Sequence, residues 1–80
     1  MKIELQGTDS VFTIATPTGI LTARLWIGKT EGGIECHALI AVVGVDARHV
    51  AAFEAESKAT PLVEAPPEVL AIYAPAGSMN

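Results

Sequence analysis

Cys36 and His37 stand side by side, and a thiol next to an imidazole suggests a nucleophile with its base or two ligands for one metal. The segment that carries them reads as a strand, and neighbouring side chains of a strand point to opposite faces. They therefore cannot serve one atom unless a bulge intervenes. Cys36 falls on the side read as core, where a buried thiol behaves as a small hydrophobe. A single cysteine also excludes an internal disulfide, and two histidines leave a structural zinc site short of ligands. Gly28-Lys29-Thr30 has three residues of a phosphate loop, but the upstream glycine and the following helix are missing. Ser10, Ser57 and Ser78 lie in no nucleophile elbow. Glu54 and Glu56 read as helical, and Glu64 and Glu68 flank prolines, so no two carboxylates are set to share a cleft. The chain is not expected to be an enzyme, and neither a cofactor nor a metal is expected.

A different group of residues suits recognition. Arg24, Trp26, Glu35 and His37 combine the types that dominate binding hot spots with a polar rim. Whether they meet depends on the strands beneath them. Met1 to Gln6 alternates apolar with polar residues, the period of a half-buried strand. Gly7-Thr8-Asp9-Ser10 reads as a turn, and Val11 to Thr16 as a second strand. Thr16-Pro17-Thr18-Gly19 is a tight turn, with proline presetting φ. A third strand follows from Ile20 to Gly28, a loop from Lys29 to Gly33, and a long fourth strand from Ile34 to Val45. Short turns make these four an antiparallel meander. At Asp46, a helix cap, the period changes; Val50, Phe53 and Ser57 share one face until Pro61 ends the helix. Pro66-Pro67 stiffens the chain, Glu68 to Ala74 suits a short strand or an extended arm, and Gly77 to Asn80 should fray.

The expected fold is thus α+β: a four-stranded antiparallel meander, one helix, and a short C-terminal strand or arm. Residues 1–60 form the meander and helix; residues 61–80 form a proline-rich arm packed on the same domain or on a partner subunit. In the first hairpin Pro17 and Thr18 form the tip, so Ile14 faces Leu21 and Phe12 faces Ala23. In the second, a loop from Lys29 to Gly32 sets Leu25 opposite Cys36 and Ala23 opposite Ala38. Ile27 and Ile34 join this side, and the helix covers it through Val50 and Phe53. The outer side then gathers Arg24, Trp26, Glu35 and His37 as a candidate partner-binding surface. Arg48, Glu54 and Lys58 on the helix are the alternative contact.

Half of the 80 residues are hydrophobic and 18% are charged. That excludes a disordered chain, and a net charge of −4 argues against a nucleic-acid backbone binder. No apolar run approaches the roughly 18 residues of a membrane span, and Met1 to Gln6 lacks the apolar core of a signal peptide, so a cytoplasmic location is expected. A domain this small hides only about 60% of its unfolded surface and usually needs further support. Here that support is expected from a homodimer, with Leu39, Ala41, Val43, Val69, Ile72 and Tyr73 at its interface.

The run Thr16-Pro17-Thr18-Gly19-Ile20, then Ala23 to Ile34, then Cys36-His37, resembles small accessory and early proteins of Mu-like temperate phages of pseudomonads. The shared pattern is Trp26, Gly28, Thr30, Gly33, Ile34 and His37, with Phe53-Glu54 on a helix and a proline-rich tail, across roughly residues 10 to 70. Val69 to Tyr73 departs from it. The resemblance implies a non-enzymatic protein that binds and blocks a host protein inside an infected bacterium. Targets of that class include CRISPR complexes, type IV pilus assembly and host regulators. Two other readings fit the composition: a module that sequesters a small ligand or signalling nucleotide, and a small structural or assembly protein.

Overall fold

The computed structural model describes residues 1–73; the fraying expected at Gly77 to Asn80 lies outside them. The fold is α+β, with a three-stranded antiparallel meander in the order β1-β2-β3 followed by two helices. β1 runs Ile3–Thr16, β2 Gly19–Thr30 and β3 Glu35–Ile40. A 3-10 turn at Ala47–His49 leads into α1, Val50–Ala59, and α2 spans Pro67–Tyr73.

Three strands replace the expected four because the first two are one. Gly7 to Ser10 is not a turn but a bulge inside β1, where the pairing with β2 shifts between Gly7 and Val11. Before it Gly7 pairs with Trp26; after it Val11 pairs with Arg24. The first hairpin is as the sequence indicates. Thr16 pairs with Gly19, Ile14 with Leu21 and Phe12 with Ala23. Gly19 adopts φ +146°, open to glycine, and the Thr16 hydroxyl donates to its carbonyl at 2.8 Å.

The second hairpin differs in register. Its loop is Glu31 to Ile34, closed by the Thr30 N–H donating to the Ile34 carbonyl at 2.9 Å and by Gly33 at φ +85°. The Thr30 hydroxyl accepts from the Ile34 N–H at 3.2 Å. β2 is therefore longer than expected, Leu25 faces Leu39, and Trp26 faces Ala38. The slip is odd-numbered, so the side chains of β3 exchange faces. Leu39 comes to the side of Leu25, while Cys36 and Ala38 join Trp26. Ile34, assigned to the core, is 69% exposed in the loop.

The core lies on the Leu25 side. Leu25, Ala23, Thr8 and Ala65 are the buried residues among those described. The cover is α2, not α1. Tyr73 stacks against Phe12 with ring centroids 5.7 Å apart and meets His37 edge-on at 5.2 Å. Of the stretch Glu68 to Ala74, expected as a short strand or an extended arm, the described residues Glu68 to Tyr73 are thus helical. Proline is tolerated in a first turn, where its missing N–H costs nothing, and the Pro66 carbonyl accepts from the Leu70 N–H at 3.0 Å. The sequence of α1 is read correctly, including the Asp46 carboxylate that caps the preceding turn through the Arg48 N–H at 3.0 Å. Its role is not: no residue of α1 is buried, and Phe53 stays 40% exposed.

Candidate interaction surfaces

The β1 bulge joins the C-terminal arm to the sheet. It turns Thr8 inward, fully buried, where its hydroxyl donates to the Leu25 carbonyl at 2.8 Å and accepts from the Ser10 N–H at 3.2 Å. The Thr8 carbonyl accepts from the Arg24 guanidinium at 2.7 Å. On the strand's outer side, Val63 forms a one-residue parallel bridge. The Asp9 N–H donates to the Val63 carbonyl at 3.0 Å, and the Val63 N–H to the Gly7 carbonyl at 3.1 Å. The arm then buries Ala65, whose N–H points to the Asp9 carboxylate at 3.4 Å. An unpaired buried backbone group would cost about 1–3 kcal/mol; here the arm and the Thr8 side chain satisfy those the bulge exposes.

The four residues expected to form one surface lie on two. Arg24 and Trp26 share a face of β2, and their register partners are Ile40 and Ala38. Leu62 comes to this face beside Gly7, next to both Arg24 and Trp26. Arg24 is committed to holding the bulge. Glu35 and His37 belong to the opposite face, where Glu35 pairs with Lys29 and His37 with Ile27. His37 shares a hydrogen bond through Nδ1 with the Tyr73 hydroxyl. Cys36 and His37 point to opposite faces, as a regular strand requires.

The residues expected at an oligomer interface also divide. Tyr73 and Val69 pack within the chain, Tyr73 on Phe12 and His37, and Val69 along a groove between α2 and the sheet. Leu39 is half-buried opposite Leu25. Ile72 is 64% exposed, and Ala41 and Val43 are exposed beyond the end of β3.

Two surfaces stand open. One is the sheet face with Trp26, Ile3 and Val11; the last two are about half exposed. The other is the segment from Ala41 to Ala59, exposed throughout, which carries Val42, Val43, Val45, Val50 and Phe53 with Arg48, Glu54 and Lys58. A third feature is the groove by α2, about 320 Å³, lined by Gln6, Lys29, Glu35, His37, Glu68 and Val69 among others. It sets one lysine, Lys29, against two carboxylates, Glu35 and Glu68, beside His37 and Cys36. Among the described residues no group of three or more His, Cys, Asp and Glu is placed to hold a metal. No described helix is long and apolar enough to cross a membrane.

The sequence signals missed the bulge and α2. The bulge had a signal: apolar residues occupy odd positions at Ile3 and Leu5 and even positions at Phe12 and Ile14. In the structure the apolar set indeed crosses the sheet at Thr8, from the Trp26 side to the Leu25 side. The chain matches no protein-family model, no curated protein and no solved structure.

Proposed function

We propose that this chain is a non-enzymatic interaction protein that binds another protein through the segment Ala41 to Ala59, centred on Phe53. In the setting its sequence resemblance implies, the partner is a host protein of a phage-infected bacterium, blocked by steric occlusion in the cytoplasm. The observation that carries this reading is surface left without a partner. Every residue from Ala41 to Ala59 is exposed, with Val42 at 80%, Val43 at 49% and Phe53 at 40%, and contiguous exposed apolar surface marks an interaction site.

The segment also has the composition of such an interface. Phe53 and four valines form its apolar centre, and Arg48, Glu54 and Lys58 supply a polar rim. A helix as short as α1 is marginal in water by itself, so a surface that buries Phe53 would stabilise it. Sequestering a signalling nucleotide is less well supported. The groove by α2 offers Lys29 beside Glu35 and Glu68, a poor setting for phosphates.

Affinity capture from host lysate tests the proposal, with Phe53→Glu and His37→Ala run beside the native chain. A host protein retained by the native chain and by His37→Ala, and lost with Phe53→Glu, supports it. Retention by Phe53→Glu, or loss only with His37→Ala, moves the contact elsewhere.

A further inference from the structure

The two edges of the sheet are treated differently. The outer edge of β1 is bulged and is occupied at Thr8 by Val63. β3, the other edge, is short and carries one charge, Glu35 at its start, but it lacks the other devices that prevent edge-to-edge pairing: Glu35 to Ile40 contains no lysine, no proline and no bulge. Among the described residues nothing pairs with its outer side. Beyond it Ala41 to Val45 continues without a charge, and Val42 is 80% exposed.

We propose that β3 pairs antiparallel with β3 of a second copy of this chain, about a two-fold axis at Ala38, joining the two sheets into one. Such an interface is self-complementary, which is how most homodimers form. An axis perpendicular to the sheet keeps each side chain on its own face, so it must pass through a residue pair rather than between two. The middle of β3 falls between His37 and Ala38. An axis at His37 would press two imidazoles together. An axis at Ala38 places the smallest side chain of the strand at the closest approach. It then sets Cys36 beside Ile40 of the second copy, His37 beside Leu39, and Glu35 beside the uncharged Ala41. The net charge of −4 makes copies repel, and this edge is a stretch where they meet with least charge. The trp-bearing faces of the two copies would then run on continuously across the axis.

Sedimentation velocity of the full chain over a concentration series tests this, with two variants. The native chain should sediment at twice 8.3 kDa. Ala38→Lys sets two ammonium groups against each other at the axis and should raise the dimer dissociation constant about tenfold or more, with unchanged far-ultraviolet dichroism. Ala38→Cys in a Cys36→Ser background should oxidise to a covalent dimer, because directly opposed Cα atoms of an antiparallel pair lie about 4.5–5.5 Å apart, within the roughly 4.4–6.8 Å that a disulfide spans. The cysteine variant decides the matter if the lysine variant does not fold. A native chain monomeric at every concentration overturns the proposal. So does a dimer that tolerates lysine and forms no disulfide. A monomer whose Ala41 to Val45 amides are protected from exchange would also overturn it, and would mean that the chain's own segment zips along β2.

Discussion

Thr8 and Phe53 mark opposite extremes of the same small chain. Thr8 is polar and fully buried, with its hydroxyl and carbonyl bonded to Leu25, Ser10 and Arg24. Phe53 is large and apolar, sits on a helix without one buried residue, and is 40% exposed. Burial by hydrophobicity alone would order them the other way. Position in the topology decides the outcome. The bulge can recruit the arm because Val63 reaches its free backbone groups, whereas α1 follows β3 into solvent with no strand left to cover. A polar residue is secure where every group is paired, and an apolar one is left waiting where no surface faces it.

The contrast predicts unequal responses to substitution. Leu25→Ala, beneath the same clamp, should cost about 2–5 kcal/mol in denaturant unfolding, because it empties the best-buried apolar site. A loss below that range would mean that α2 does not seal the Leu25 side. Thr8→Val should cost about 1–3 kcal/mol, since it keeps the shape while leaving the Leu25 carbonyl and the Ser10 N–H without their partner. Tyr73→Phe should cost about 0.5–1.5 kcal/mol by removing the hydroxyl that bonds His37 while keeping the ring on Phe12. Phe53→Glu should change stability least, by less than about 0.5 kcal/mol, as expected of a surface site. If Phe53→Glu destabilises as much as Thr8→Val, the two regions are not distinct and α1 belongs to the core.

The same contrast explains what could be read from the sequence. The first hairpin was legible because Pro17-Thr18 leaves one tight tip, which fixes Ile14 against Leu21. The second was not. Gly28, Gly32 and Gly33 offer several turns, and the structure selects one through the Thr30 N–H and hydroxyl, which no hydrophobic pattern reports. β3 is apolar on both faces, with Leu39 on one and Cys36, Ala38 and Ile40 on the other. Its parity therefore gave no warning that the register was off by an odd step. That step separates Arg24 and Trp26 from Glu35 and His37. α2 was obscured because prolines that open a helix resemble prolines that forbid one. The α+β class, the Asp46 cap and the extent of α1 followed from local chemistry. The bulge and the cover of the core depended on contacts between residues more than fifty positions apart, Asp9 with Ala65 among them.

Gly28 shows the same dependence at one atom. A side chain there would overlap the Glu4 carbonyl of β1, so the two strands approach closely only because the position is glycine.

The central claim is that Ala41 to Ala59 is a presented segment, held by little until a partner covers it, while the bulge and arm belong to the cooperative core. Native-state hydrogen exchange of the free chain, read amide by amide, tests it most directly. The amides of Asp9 and Val63 should open only with global unfolding. Those of α1 should exchange with an opening free energy near zero, and should gain protection when the partner binds. Protection of α1 in the free chain equal to that of Asp9 would contradict the account.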